Sequence, residues 1–270
     1  MTAVPSLEHP APVARGPASE GWREWLTALL DLVFPPLCPV CRAGLADGRR
    51  DPLCGACWQG VERLSRPWCR VCGLPFPRQI GAGETTRVGH AEHRCGQCRR
   101  RPPAFSYARS AAHYGDVTRE ALHAFKFGGR RALANPLGDL LVELGPSILP
   151  VPGPDLLLPI PLHPRRERER GFNQSLLLAR RLGRGWDVPV RADVIARRVG
   201  TQPQTALNAE DRRKNVRGAF ALRRPEAVVG RHVVLVDDIL TTGSTAASCA
   251  ACLRAAGAAT VGVLTVARAS

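Results

Sequence analysis

The 270-residue chain has almost no lysine: of its 38 basic residues only Lys126 and Lys214 are lysines, and the rest are arginines. An Arg/Ala/Gly/Pro-rich usage of this kind is what a GC-rich genome produces. The formal net charge of +15 is therefore no sign, by itself, of a polyanionic partner. Long apolar runs are also missing. No stretch of ~18 uncharged apolar residues is present to cross a bilayer. The opening residues, Met1 to Gly21, are Pro, Ala and Ser rich, with no basic n-region leading into an apolar h-region, so they do not read as a secretory signal. The expected compartment is the cytoplasm. With 44% apolar and 23% charged residues, wholesale disorder is excluded as well.

Residues 1–20 read as a disordered tail. Trp22 to Phe34 has the apolar spacing of a short amphipathic helix, with Trp22, Trp25, Leu26, Leu29, Leu32 and Val33 on one side. It is expected to pack on the adjoining domain. A membrane-surface helix is the alternative.

Cysteine is what the chain has in excess. Eight of ten cysteines form four CxxC pairs before residue 100: Cys38/Cys41, Cys54/Cys57, Cys69/Cys72 and Cys95/Cys98. Two residues between thiols let backbone amides fold over one sulfur in a tight knuckle, and two knuckles supply four thiolates around a tetrahedral zinc. Two structural zinc sites, Cys38/41/54/57 and Cys69/72/95/98, are the expectation, with a cross-braced pairing as the alternative. Disulfides belong in oxidising compartments, which argues against them here. Four thiolates leave no open coordination position, so neither zinc is expected to be catalytic. Each filled site would carry about −2, lowering the net charge from +15 to about +11. His90 and His93, beside Cys95, read as loop histidines. Cys249 and Cys252 share one face of an Ala-rich helical stretch and read as small buried hydrophobes rather than as a redox pair.

From about Ser106 apolar strand-like runs alternate with helical stretches, which points to an α/β domain with a mostly parallel sheet. The expected strands are Leu156 to Ile160, Gly218 to Leu222, His232 to Val236 and Thr260 to Val266. The expected helices are Thr118 to Phe127, Gly138 to Leu144, Gln174 to Leu182 and Thr245 to Ala256. The division is 1–20 tail, 21–105 helix plus double zinc ribbon, and 106–270 α/β domain.

The most informative stretch is VVLVDDILTTGST, Val233 to Thr245. Four apolar residues make a buried strand, two carboxylates are expected to stop it, and a Thr/Gly/Ser turn opens a helix. A helix start at the carboxyl end of a parallel strand offers unpaired amides and a positive dipole end, which suit a phosphate. Gly243 permits the tight turn; Thr241, Thr242, Ser244 and Thr245 add hydroxyl donors. Asp237 and Asp238 would repel a bare phosphate, so they point to ribose hydroxyls or Mg²⁺. A phosphorylated sugar satisfies both halves. No Gly-Lys pair follows, so the loop is not a Walker A motif.

VVLVDDILTTGST resembles the phosphoribosyl pyrophosphate (PRPP) signature of type I phosphoribosyltransferases. With FPPLCPVC, the four CxxC pairs, AFKFGG (Ala124 to Gly129), PIPLHPRRERERGFNQS (Pro159 to Ser175) and QTALNAEDRRKNVRGAF (Gln204 to Phe220), the chain from about residue 30 onward is similar to the ComF family. The resemblance implies a type I phosphoribosyltransferase fold. It implies that Asp237 and Asp238 hold the ribose 2′- and 3′-hydroxyls and that Thr241 to Thr245 wrap the 5-phosphate. Pro161, Leu162 and His163 would form the pyrophosphate loop, with Arg165 and Arg166 adding charge. Thr201 to Arg217 would be a flexible loop carrying Arg212 and Lys214 toward the pyrophosphate, and Mg²⁺ would arrive chelated by PRPP.

Charge is unevenly placed: residues 161–224 hold 16 basic and 6 acidic side chains, whereas 225–270 are balanced. Genome bias does not explain that contrast. It reads as a basic rim at the pyrophosphate end of the site, able to hold PRPP or a nucleic-acid backbone. Aromatics in that segment are few (Phe172, Trp186, Phe220), so no base-stacking platform is apparent. Two functions follow from the resemblance. One is transfer or recognition of a 5-phosphoribosyl group from PRPP, with an acceptor that no motif identifies. The other is a non-catalytic competence factor that handles single-stranded DNA in natural transformation alongside other DNA-uptake proteins.

Overall fold

The computed structural model describes Trp25, Leu29 and residues 35–45, 52–76, 93–198 and 219–269. Its centre is a four-stranded parallel sheet of β1 (Tyr107–His113), β2 (Leu156–Pro159), β5 (His232–Leu240) and β6 (Thr260–Arg268), in the order β1-β6-β5-β2. Because both faces of a parallel sheet are covered, its strands read as apolar runs rather than alternations. Leu156, Leu157 and Leu158, and Val233 through Val236, are all buried accordingly. The short strands β3 (Ile195–Arg197) and β4 (Phe220–Leu222) form a separate antiparallel pair. Of the run Gly218 to Leu222, expected as a strand, Phe220 to Leu222 pair with β3 outside the central sheet, and Gly218 lies outside the described residues.

On one face lie α3 (Asp116–Phe127), α4 (Ala134–Glu143) and α6 (Gln174–Trp186), which bury Leu122, Phe125, Leu140, Leu178 and Leu182 against the sheet. On the other face α7 (Ser244–Ala255) buries Ala246, Cys249, Ala250 and Leu253, joined by Ile195 and Phe220 of the small hairpin. The short α5 (Pro164–Arg170) has no buried residue.

The cysteine pairs form two clusters, Cys38/41/54/57 and Cys69/72/95/98, so sequential pairing holds and the cross-braced alternative does not. Each cluster combines one hairpin knuckle with one short helix. In the knuckles Cys38 and Cys69 donate N–H to Ala43 and Leu74 carbonyls, at 2.8 Å each. The other pairs sit on α1 (Gly55–Gln59) and α2 (Gly96–Arg100), with Cys54 and Cys95 as the capping residues. The residue after each knuckle is left-handed: Arg42 at φ 65° and Gly73 at φ 66°. Arg42 is exposed, so a side chain is tolerated there. A Cβ on Gly73 would stand 2.6 Å from the Ala108 carbonyl oxygen, so only glycine lets this knuckle lie against β1.

Trp25 and Leu29 are helical and exposed, at 80% and 60%. The rest of the expected 22–34 helix, the 1–20 tail and His90 lie outside the described residues. His93 is not part of the second cluster; its ring meets Phe76 edge-on at 5.5 Å. Among the described residues, no helix is long and apolar enough to cross a membrane.

Candidate functional site

β5 does not stop at its carboxylates, as the sequence suggested. It continues to Leu240 because β6 stays alongside, pairing Asp237 with Thr265 and Leu240 with Arg268. On its other side β2 has left: Pro159 pairs with Val236, and the Ile160 N–H makes a last bond to the Val236 carbonyl at 3.0 Å. The two carboxylates therefore emerge where one neighbour has gone, the kind of crevice in which open α/β sheets bind ligands.

The chain after β2 builds the crevice's far wall. His163 caps α5, its Nδ1 accepting from the Arg165 N–H at 3.3 Å, with Pro164 at the first helical position. Gly171, left-handed at φ 79°, ends that helix. Asn173 then caps α6: its Oδ1 accepts from the Ser175 and Leu176 amides at 3.0 and 3.4 Å, while its Nδ2 donates to the Ile160 carbonyl at 3.3 Å. This double tie fixes Ser175, whose hydroxyl donates to Asp237 Oδ1 at 2.8 Å. Lys126, from the last turn of α3, forms an ion pair with Asp238 Oδ2.

These groups enclose a pocket of about 190 Å³ lined by Asp237, Asp238, Pro161, Leu162, Ser175 and Thr245, together with Lys126, Arg166, Arg170 and Arg197. Desolvation raises Asp237 to about 8, reinforced by the charge of Asp238 and opposed by the Ser175 hydroxyl and Lys126. Desolvation also works against ionised Asp238, but the Lys126 ammonium, together with hydrogen bonds from Asp237 and the backbone, outweighs it and holds that carboxyl below its usual range. The pair thus favours one ionised carboxylate over two, and four cationic side chains line the same pocket.

The turn after β5 is pinned from behind. Arg268, buried at the end of β6, donates through Nη1 to the carbonyls of Leu240 (2.8 Å), Thr241 and Ala269 (2.6 Å). Gly243 is left-handed at φ 74°, and α7 starts at the next residue. Thr242 Oγ1 and Ser244 Oγ hydrogen-bond each other at 2.8 Å. Of the loop residues expected to meet phosphate, Thr245 faces the 190 Å³ pocket, whereas Thr242, Gly243 and Ser244 line a neighbouring 440 Å³ cleft against the second cysteine cluster. Thr241 and His163 line neither. Arg212 and Lys214 lie outside the described residues. Arg165 turns to solvent and pairs with Glu169 at 2.9 Å.

Lys126 and Ser175 stand outside the roles expected from the sequence, whereas Arg170 and Arg197 belong to the basic segment 161–224 expected to form the rim. A signal for the first was present: in a chain whose cation is nearly always arginine, a lysine held inside AFKFGG is a choice of a compact point charge over a planar fork.

The cysteine clusters have the geometry a metal asks for. Within each, the four sulfurs lie within 4.8 Å of one another, with Cys41 and Cys54 Sγ 3.5 Å apart and Cys72 and Cys95 Sγ 3.6 Å apart. Zinc–sulfur bonds of about 2.3 Å in a tetrahedron place sulfurs about 3.8 Å apart. All ten cysteines are free thiols. Within the second cluster the Cys72 thiol, opposed by desolvation and helped by backbone N–H groups, lowers Cys69, while the hydrogen bond to Cys69 and desolvation push Cys72 up. Cys249 is fully buried and pushed well up by that burial; Cys252 meets the Phe220 carbonyl at 3.7 Å.

Residues 29–99 match the double zinc ribbon domain family, and residues 172–270 match the phosphoribosyl transferase domain family. The DNA utilization protein YhgH of Escherichia coli O157:H7 is 36% identical over 235 residues, covering 86% of this chain and 96% of that protein. Competence protein F of Haemophilus influenzae is 30% identical over 236 residues, with the same coverage. Competence protein ComFC of Bacillus subtilis is 28% identical over 231 residues, 81% of this chain and 85% of that one. Among solved structures, the allosteric regulatory enzyme of purine biosynthesis matches at 21% identity and a TM-score of 0.33, over 48% of this chain and 25% of that one, a likeness too partial to carry any argument. Two four-cysteine clusters, a phosphoribosyl transferase domain with a parallel sheet, and relatives matched over nearly their whole length place this chain in the ComF family.

Proposed function

We propose that the chain binds PRPP with Mg²⁺ at the Asp237/Asp238 pocket and recognises or transfers its 5-phosphoribosyl group. The observation that carries this reading is the charge pattern of the lining: four cationic side chains around a carboxylate pair at the end of β5. A simple anion would be repelled by the carboxylates, and a simple cation by the arginines. A sugar bearing phosphates meets both, its ribose hydroxyls donating to Asp237 and Asp238 while Arg166, Arg170 and Arg197 face the phosphate oxygens. The N-terminus of α7, beginning at Ser244, supplies amides for the 5-phosphate. Asp238 is already paired with Lys126, so the dyad offers no all-protein cage for Mg²⁺. The metal then comes held by ligand phosphates and water, as suits a small, strongly hydrated cation. Each cysteine cluster holds one structural zinc.

Titration calorimetry with PRPP, with and without Mg²⁺, tests the binding step. The double substitution Asp237→Asn and Asp238→Asn should abolish binding while the protein stays folded; retained affinity refutes the site. Pyrophosphate release from PRPP with a panel of nucleobases and ammonia tests transfer. The relatives' names, DNA utilization and competence protein, favour a second reading in which the chain handles single-stranded DNA. The net basic segment 161–224 supports it. Salt-sensitive DNA binding without turnover on any acceptor would select that reading over the enzyme.

A further inference from the structure

Phe127 is 69% exposed, a large apolar side chain in open solvent one residue from Lys126 and the pocket. It is not solitary. The His123 ring, one helical turn back on α3, lies 4.9 Å from its centroid at an interplanar angle of 44°. The Arg170 guanidinium of α5 lies over the same ring at 5.4 Å. Arg170 is held there independently by donating to Gln174 Oε1. Beyond Phe127 the chain turns through Gly128 and Gly129 into Arg130 and Arg131, both exposed. Arg131 is fixed by its bond to the Gly171 carbonyl and its place over Phe172 at 5.1 Å.

An aromatic ring flanked by a histidine and a guanidinium, with more arginines following, has the makeup of a site where a base stacks and its phosphates are held. The sequence concealed it because Phe127 and His123 precede the basic segment and meet Arg170 only in the fold.

We propose that Phe127, with His123 and Arg170, is a stacking platform for one base of single-stranded DNA whose backbone runs along Arg130 and Arg131. A free nucleobase is the weaker candidate on magnitude. Stacking contributes roughly 5- to 150-fold in affinity per base, which alone gives no better than millimolar binding on an open surface. A strand adds phosphate contacts to the same encounter. This inference rests on the DNA-handling reading and does not require that PRPP bind.

The test uses the full-length zinc-loaded protein and fluorescence anisotropy with labelled oligothymidylate of about 20 nucleotides, beside an abasic backbone of equal length, at salt between about 50 and 200 mM. Phe127→Ala should weaken oligothymidylate binding about 5- to 150-fold at unchanged salt slope and leave the abasic strand unaffected. Phe127→Trp should restore affinity. Arg130→Ala should weaken both strands and reduce the salt slope by about 0.7. Wild-type affinity in Phe127→Ala, or an equal loss on the abasic strand, overturns the platform. Competition by free thymidine at micromolar concentration overturns the polymer as its occupant. PRPP affinity measured on the same Phe127→Ala protein should equal wild type. Loss of PRPP binding in every protein, with the DNA pattern intact, would defeat the PRPP reading and leave this one standing.

Discussion

Asp237 and Asp238 are neighbours in sequence with opposite electrostatic fates. Desolvation and the adjacent charge of Asp238 push Asp237 up to about 8, whereas Lys126 with hydrogen bonds from Asp237 and the backbone overcomes desolvation and holds Asp238 low. An unfolded aspartate titrates near 4. Between roughly pH 4 and 8 the folded protein therefore holds a proton on Asp237 that the unfolded chain has released. The stability this proton contributes is fully present below the unfolded value and is lost as pH rises through the folded one. Asparagine mimics the neutral acid at every pH. Asp237→Asn should thus melt close to wild type at pH 4 and a few degrees above it at pH 8.5, measured by circular dichroism without ligand. An Asp237→Asn protein that melts lower at pH 8.5 would mean the carboxylate is ionised and structurally needed. On the proposed reading, hydroxyl groups donating to the dyad favour its ionised form, so PRPP binding should release a proton.

At the scale of elements, the turn from β5 into α7 depends on a single backbone conformation. A Cβ on Gly243 would meet the Phe105 ring at 3.5 Å, which is ordinary contact, so the cost of substitution lies in φ 74° and not in space. Gly243→Ala should cost about 1–2 kcal/mol in urea unfolding and weaken PRPP binding by turning the first amides of α7; Gly243→Asn, which tolerates the left-handed region, should cost less on both counts. Equal losses in the two variants would show that crowding matters there instead. This turn was legible in the sequence because a strand, a glycine and a run of hydroxyl residues must adopt few conformations. The buried runs of β2, β5 and β6 were legible for a similar reason, since no polar alternation competes with their burial. β1 was not: Tyr-Ala-Arg-Ser-Ala-Ala-His has no apolar run, and its burial comes from β6 and the second knuckle. The helix α5 has only arginine, glutamate and proline and no apolar face, so periodicity is silent there. The dyad could be read locally. Its partners could not, because Lys126 and Ser175 reach it from helices 112 and 62 residues away along the chain.

For the whole molecule, the cysteine clusters are part of the α/β core and not an appendage. The first shares a core with Tyr107, Leu122 and Val234 on one face of the sheet; the second shares one with Phe105, Leu158 and Val233 on the other. The backbone joins them too. The Leu64 N–H donates to the Ala111 carbonyl at 2.9 Å and the His113 N–H to Glu62 at 2.8 Å, while the Ala108 N–H reaches Val71 at 2.6 Å. Buried Arg109 donates to the carbonyls of Arg70 and Ala108 at 3.1 and 2.7 Å. The edge strand β1 is clamped by one cluster on each face. A structural zinc contributes roughly 10–16 kcal/mol of apparent binding free energy. A domain's entire net stability is about 5–15 kcal/mol. With one zinc in each cluster, as proposed above, loss of the metals would remove a stabilisation comparable to the net stability of the whole domain. Chelation that releases two zincs per chain should abolish the calorimetric transition of the whole protein, the sheet included, and with it PRPP binding. A surviving transition with PRPP affinity intact would mean the sheet folds without its clamps. Loss of both would tie the ligand site to the metal clusters, through β1 and β6 and through the cleft that Thr242, Gly243 and Ser244 share with Cys72 and Cys98.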